Sequence, residues 1–102
     1  MILVRHEIGE VLRDFRQQKG RTLRQVASRA SVALGYLSEV ERGQKEASSE
    51  ILASVADALD VPISTIMREV SDRLSVLEGL HVFPDVVPDD LVAAIEPELS
   101  LR

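Results

Sequence analysis

Two short helical segments joined by a tight break constrain the fold of this chain more than any other feature. A capping box of Thr22 and Gln25 predicts the start of the first segment, and a break is predicted at residues 31–32. The second segment is predicted over about residues 33–41. The apolar positions that would face the core are Leu23, Val26, Ala27, Ala30, Leu37 and Val40. Two helices of about eight or nine residues around such a turn predict a helix-turn-helix within residues 13–44.

Small and apolar residues occupy the positions that this unit demands. Ala27 is small enough for the point at which the two helices would cross, and Val32 would plug the turn. Leu37 and Val40 would anchor the second helix, which Gly43 stops. Each residue alone is weak support, but their joint spacing is specific. A helix-turn-helix of this kind presents its second helix to the major groove of DNA.

Helical spacing continues on both sides of this unit. Ahead of it, a first helix is predicted to end at Gly20 in a left-handed C-cap. Behind it, Ser48 and Ser49 are candidate N-caps of a fourth helix, and Asp60 is a tolerable left-handed stop. Val61–Pro62 confirms that break, because the residue before a proline disfavours helical geometry.

A long fifth helix is predicted from near Ser64 to a stop at Glu78–Gly79. The proline-rich remainder predicts a loop, a short helix over about residues 89–95 and a frayed end. We find no convincing strand pattern and no internal repeat. The sequence therefore predicts an all-α fold, a five-helix bundle with an extended fifth helix and a short C-terminal helix for dimerisation. The predicted division is a DNA-binding domain over residues 1–67 and a dimerisation helix with its tail over 68–102.

The net charge of −5 is unevenly distributed along the chain. Through Met67, nine basic residues balance nine acidic ones, whereas from Arg68 onward three basic residues face eight acidic ones. Between Arg13 and Arg29 there are six basic residues and only Asp14 to oppose them. DNA binding needs only a local basic footprint, so an acidic total does not exclude it. We expect DNA to meet the first two-thirds of the chain.

Several classes of protein are disfavoured by what the sequence lacks. There is no cysteine, hence no disulfide framework, thiol nucleophile or zinc-thiolate site. No stretch approaches the roughly 20 apolar residues of a membrane span, and the apolar start reaches Arg5 too soon for a signal peptide. His6 and His81 lack ligand spacing, so we expect surface or hinge histidines and no metal or cofactor. The sequence contains no nucleophile–base pair, so we do not expect an enzyme. We expect a cytoplasmic location.

The sequence of the predicted helix-turn-helix also resembles that of a known family. Val26–Ala27, Ser31–Val32 and the run Tyr36–Gly43 are similar to the signature of Cro/C1-type (XRE) helix-turn-helix regulators. The resemblance covers about residues 8–67 and implies five helices and paired operator half-sites bound by a dimer. The chain as a whole resembles the actinobacterial regulators of Clp genes. That likeness implies activation of genes for the Clp protease and related stress functions.

Base readout is expected from the exposed face of the second helix and the residues just after it. Leu34 and Gly35 stand where relatives often carry polar residues. Leu34 could touch a thymine methyl and Gly35 could admit the DNA closely, but neither offers bidentate readout. Glu39 is the sharper candidate, because a carboxylate can accept from cytosine N4. The other candidates are Ser38, Arg42, Gln44 and Lys45.

Phosphate contacts are expected where the first helix of the unit begins. Thr22 and Gln25 form the capping box and could also hold a phosphate, and Arg21 and Arg24 add positive charge there. Tyr36 has two open roles, a half-buried ring or a hydroxyl on phosphate. For Arg13 and Arg16, a phosphate contact and a place on a solvated face are both open. Glu41 and Arg42 are expected to act more as a structural pair within the bundle than as DNA contacts.

Two hypotheses from different classes follow. In the first, the protein is a homodimeric regulator that binds a palindromic operator in double-stranded DNA, with RNA polymerase as a further candidate partner. Its interface would use Val70, Leu74 and Leu77, although these residues could simply cover the bundle. In the second, it is an antitoxin-like module whose acidic, apolar segment 82–101 binds a protein partner while the bundle regulates its own promoter.

Overall fold

The computed structural model describes residues 2–81, and within them there are five α-helices and no strand. The helices are α1 (Val4–Gln18), α2 (Leu23–Ala30), α3 (Leu34–Glu41), α4 (Ser49–Ala58) and α5 (Ile63–His81). The predicted all-α, five-helix bundle is therefore confirmed. The short helix predicted over residues 89–95 lies outside the described residues.

The ends of the helices form where local chemistry predicts them. Gly20 has φ 68° just after α1, the left-handed conformation that glycine adopts without strain. Thr22 Oγ1 accepts a hydrogen bond from the Gln25 backbone N–H at 3.0 Å, and Gln25 Oε1 accepts one from the Thr22 backbone N–H at 2.8 Å. At α4, Ser48 Oγ accepts from the Ile51 backbone N–H at 3.2 Å. These bonds satisfy backbone donors that a helix start leaves without partners.

Two non-glycine residues adopt left-handed conformations at the breaks between helices. Ser31 has φ 59° in the turn between α2 and α3, and Asp60 has φ 57° between α4 and α5. The backbone N–H of Val32 donates to the Ala27 carbonyl at 3.0 Å, which closes the turn, and the Val32 side chain packs against the core. Both breaks were expected from the sequence, and the apolar plug of the turn is confirmed.

One apolar core joins all five helices. α2 packs on α4, and α1 packs between α3 and α5. The helix crossing of α1 and α3 depends on Gly9, because a Cβ there would lie 2.5 Å from the Glu41 carbonyl oxygen and closer still to that of Val40. The residues at the centre, each exposed by 2% or less, are Val11, Leu12, Val26, Leu37, Val40, Val55, Leu59 and Ile66.

Two predictions for α5 are wrong. The helix does not stop at Glu78–Gly79 but continues to His81. A single internal glycine costs a helix only about 1 kcal/mol relative to alanine, which is too little to end it. Val70 was expected at a dimer interface, but it is 5% exposed and belongs to the core of its own bundle. The division predicted after Met67 falls inside this continuous helix and stays a prediction.

Candidate nucleic-acid interface

The second helix of the helix-turn-helix, α3, has one face buried and one face open. Leu37 and Val40 are 0% and 1% exposed, which fixes the buried side. At about 100° per residue, four residues fall within an arc of about 100° on the opposite side. They are Gly35, Ser38, Glu39 and Arg42. This is the face that a docked helix would present to base edges.

The first turn of α3 differs from the sequence expectation. Leu34 was expected on the exposed face of α3, but it is half-buried and packs against the core. The physical reason is helical spacing, because Leu34 lies three residues before Leu37 and so shares its ridge. Gly35 is exposed, and no atom lies within 4 Å of the place a Cβ would take. The backbone is therefore open to close approach at Gly35.

Ser38 and Arg42 lie one turn apart on the edge of α3 that faces α1. Both line an open groove of about 370 Å³ between these helices, together with Arg13 of α1. Arg42 is exposed, and its Nη2 lies 3.4 Å from Gln44 Oε1. Gln44 and Lys45 are exposed in the loop after α3. Polar and basic side chains thus continue from the open face of the helix into the loop.

The two glutamates of α3 have opposite surroundings. Glu41 is held by Arg16 of α1, whose Nε and Nη2 donate to the two carboxylate oxygens at 2.7 and 3.0 Å. Their side chains are only 8% and 15% exposed, and the hydrogen bond from Arg16 to Glu41 raises the pKa of the guanidinium above its usual range. Glu39 is half-buried, and among residues 2–81 its side chain has no hydrogen bond and no ion pair. Glu39 is therefore available for recognition.

This arrangement corrects one detail of the sequence analysis. Glu41 has the structural role expected of it, but its partner is Arg16 and not Arg42. The bidentate bridge joins α1 to the end of α3 and so fixes the orientation of the reading helix. A phosphate contact was left open for Arg16. Its Nη1 donates a hydrogen bond to the Arg21 carbonyl oxygen at 3.1 Å, so all three nitrogens of the guanidinium are engaged within the bundle.

The start of α2 carries a basic concavity. An open pocket of about 540 Å³ is lined by Gly20, Arg21, Arg24, Gln25, Ser28 and Arg29. Arg24 and Gln25 are exposed, and Arg24 takes part in no ion pair within the described part of the chain. The N-terminal N–H groups of a helix and nearby guanidinium groups favour an anion such as phosphate.

Arg21 differs from its neighbour Arg24, because its guanidinium is engaged inside the bundle. It donates to the Ala58 carbonyl oxygen and lies 2.6 Å from Asp60 Oδ2. The hydrogen bond from Arg21 lowers the pKa of the Asp60 carboxyl, and Arg29, 3.7 Å away, adds to the effect. Arg21 therefore ties the start of α2 to the end of α4, a use that the sequence analysis did not foresee.

Tyr36 and Arg5 hold the loop that follows α3. The half-buried Tyr36 ring packs against the core, and its hydroxyl donates to the Glu46 carbonyl at 2.8 Å. Arg5 Nε donates to the Gly43 carbonyl at 2.9 Å. Gly43 has φ 75° and sits against the backbone of His6, as expected of the residue that stops α3. Arg5 was missed from the sequence because nothing local relates residues so far apart.

The distribution of ion pairs leaves several basic side chains around the helix-turn-helix without an acidic partner. Around the helix-turn-helix, Glu41, Asp60 and Asp14 are each paired with an arginine of the bundle. Arg24, Arg42 and Lys45 are exposed cations of the helix-turn-helix and the loop after it that have no ion pair among residues 2–81. These three acids are therefore neutralised within the bundle, whereas Glu39 and the three cations keep their charge free.

No helix within residues 2–81 has the length and apolar character needed to cross a lipid bilayer.

Comparison with known proteins places the same segment in a known family. The helix-turn-helix domain family matches residues 7–66. The transcriptional regulator ClgR of Mycobacterium tuberculosis is 49% identical over 78 residues, which is 76% of this chain and 70% of that protein. The chain is also similar to the crystal structure of the clp gene regulator ClgR from Corynebacterium glutamicum. That likeness has a TM-score of 0.73 at 39% identity and covers 93% of both chains.

A more distant structural relative is the restriction-modification controller protein C.AhdI from Aeromonas hydrophila. It is 30% identical, with a TM-score of 0.58, over 65% of this chain and 94% of its own. Two of these relatives are named as regulators, and the segment matched by the helix-turn-helix family, residues 7–66, contains α3 and its open face. The chain therefore belongs to the Cro/C1-type (XRE) helix-turn-helix family of DNA-binding transcriptional regulators and is similar to ClgR.

Proposed function

We propose that the protein is a sequence-specific regulator that binds a palindromic operator as a homodimer, with α3 of each protomer in the major groove. The observation that carries the proposal is the state of the open face of α3. Its one carboxylate, Glu39, has no partner among the described residues, while the neighbouring acids are neutralised within the bundle. An unpaired carboxylate beside phosphates is repelled, so its retention there calls for a compensating contact such as a base edge.

Each residue of the open face then has a distinct role in readout. Glu39 accepts a hydrogen bond from cytosine N4, and Gly35 lets the α3 backbone approach the groove closely. The exposed edge of Leu34 contacts a thymine methyl. The remaining side chains, Ser38, Arg42, Gln44 and Lys45, contact bases or phosphates at the two ends of the face.

Phosphate contacts fall to the exposed residues at the start of α2. Arg24 supplies the free charge, and Thr22 and Gln25 supply polar groups beside the helix N-terminus. Arg21 acts indirectly, by holding the start of α2 against α4 through Asp60. The Tyr36 hydroxyl proton is committed to Glu46, so we assign Tyr36 to positioning of the loop that carries Gln44 and Lys45.

The homodimer would form through α5. Ile63, Met67 and Leu74 fall within about 40° of one another around this helix, at about 100° per residue. Ile63 and Met67 are 41% and 38% exposed, and Leu74 is half-buried, so an apolar stripe remains open beside the core. A twofold pairing along this stripe, with Leu77 at its far end, would have to bring the two α3 helices about 34 Å apart, one turn of DNA, to fill both half-sites.

The regulated genes follow from the likeness to ClgR. We propose that the protein activates protease and stress genes in the cytoplasm, which requires an operator beside the promoter and contact with RNA polymerase. The competing antitoxin-like hypothesis depends on segment 82–101, which lies outside the described residues. Co-purification of a small basic partner with that segment would favour it.

The test is selection and sequencing of bound duplexes from randomised DNA, with the mass of the protein–DNA complex measured in solution. We expect enrichment of an inverted repeat bound by two chains. Glu39→Ala should change the preferred base at one position of each half-site. Arg24→Ala should weaken all sequences alike and reduce the slope of log affinity against log salt by about one. Glu50→Gln, an exposed carboxylate of α4 remote from α3 in sequence, is the matched control.

Two results would contradict the proposal. Weak binding without sequence preference would favour the partner-binding module, with the helix-turn-helix as an inherited scaffold. An unchanged selection profile for Glu39→Ala would remove Glu39 from base readout, while leaving the regulator itself intact.

A further inference from the structure

Three side chains at the start of α1 bring metal-ligating atoms together, and two of them, His6 and Glu10, border the groove that Ser38 and Arg42 also line. One ligand atom from each of His6, Glu7 and Glu10 lies within 4.8 Å of the others. His6 Nε2 is 3.1 Å from Glu10 Oε2, since residues four apart share a helix face. The spacing between the two histidines predicted surface histidines and no metal, but the carboxylates beside His6 lie on neighbouring turns of the same helix.

Glu7 is the member of this cluster that calls for an explanation. It is 8% exposed, yet among residues 2–81 its carboxylate has no hydrogen-bond donor and no cationic partner. Low exposure of the residue leaves its carboxylate only partly hydrated, and hydrogen bonds or a cation can compensate the lost hydration. Its oxygens are not sealed from solvent, and the groove of about 420 Å³ between α1 and α5 opens beside them. An ion can therefore reach the carboxylate.

The neighbouring arginine leaves room for such an ion. Arg73 of α5 pairs mainly with Asp14, and its Nη1 lies 3.5 Å from Glu10 Oε1. The other oxygen of Glu10, Oε2, faces His6. Glu10 can thus keep its contact with Arg73 through one oxygen and offer the second to a cation.

We propose that His6, Glu7 and Glu10 form a zinc(II) site. His6 Nε2 and one oxygen of each glutamate are the three protein ligands, and water completes the tetrahedron. Imidazole with carboxylate is an ordinary ligand set for zinc, and two carboxylates neutralise its charge. Bonds of about 2.0–2.2 Å require ligand atoms about 3.3 Å apart, so the side chains close in by at most about 1.5 Å.

The site lies behind the end of the reading helix. A Cβ at Gly43 would lie 3.0 Å from His6 Nδ1, so the imidazole rests against the residue that stops α3. Zinc on Nε2 would fix the ring in that position. The proposal concerns metal binding alone and does not rest on the proposed function.

The test is titration of the full chain, freed of metal by a chelator, with zinc(II) in an isothermal calorimeter. We expect one zinc per chain. The affinity for zinc should drop by at least ~10-fold in His6→Ala, Glu7→Gln and Glu10→Gln, because the loss of a group that only orients a ligand already lowers metal affinity by about that factor. Glu50→Gln, an exposed carboxylate of α4, and His81→Ala, which removes the only other histidine, should bind within twofold of the parent. Circular dichroism in chelator shows that each variant is folded.

A second measurement uses cobalt(II) in place of zinc. We expect visible absorption typical of four-coordinate cobalt in the parent and its loss in Glu7→Gln. If the folded parent bound no zinc at a 100-fold excess of zinc over protein, the proposal would be overturned. Binding that follows His81 and ignores His6 would overturn it too.

Discussion

Gly9 is the residue whose replacement tests the packing of the reading helix most directly. A Cβ at this position would lie 2.5 Å from the Glu41 carbonyl oxygen, whereas ordinary contact begins near 3.4 Å. The overlap is therefore roughly an ångström, and it involves backbone atoms that cannot rotate away. Overpacking of this kind costs about 1–3 kcal/mol, and we place Gly9→Ala near 3. Alanine returns about 1 kcal/mol of helix propensity, so the net destabilisation is ~2 kcal/mol.

The assay is urea unfolding followed by circular dichroism, with Gly79→Ala as the matched control. Gly79 also lies inside a helix, but no atom is within 4 Å of the place its Cβ would take. Its replacement should stabilise the protein by about 0.5–1 kcal/mol. Opposite signs are thus expected for the same chemical change. If Gly9→Ala were as stabilising as Gly79→Ala, the close crossing of α1 and α3 would be refuted.

Two further predictions concern the ion pairs that hold the helix-turn-helix. Removing one partner of the nearly buried Arg16–Glu41 bridge should cost about 3 kcal/mol, whereas the double variant Arg16→Met/Glu41→Leu should lose less than either single change, because no uncompensated charge remains; additive losses in urea unfolding would contradict this. Asp60 has its pKa lowered by Arg21, so its contribution to stability is present above the ordinary value of 3.8 and is lost as the pH falls through the lower folded value. The difference in Tm between the parent and Asp60→Asn should therefore be largest at neutral pH and shrink as the pH falls below 3.8 through the lower folded pKa, and a constant difference would exclude the charge as its cause.

The sequence by itself determined most of the fold, because the signals involved are local. Helix starts at Thr22 and Ser48 and left-handed stops at Gly20 and Asp60 depend on residues within a few positions of each other. Apolar spacing then selected the buried faces. The same local rules predicted the open side of α3, since Leu37 and Val40 define it by periodicity alone.

The partners of charged residues required the tertiary structure. Nothing near Arg16 or Arg21 predicts that one would bind Glu41 and the other Asp60. Such pairs join residues 25 and 39 positions apart, and only the packing of whole helices brings them together. The sequence could show that basic residues are abundant, but not which of them the bundle uses internally.

Long-range packing also decided which residues of α5 are buried and what Gly9 does. Val70 falls in an apolar stripe that periodicity alone allows to cover either the bundle or a partner, and packing against the other helices placed it in the core. From the sequence, Gly9 is only a weak helix former inside α1. Its role becomes clear from the tertiary structure, in which α3 crosses α1 at this position. Local sequence therefore determined which residues form helices and which faces are apolar. Long-range packing decided which charges, glycines and apolar side chains are used inside the bundle and which remain available for binding, because those contacts join residues that are distant in the chain.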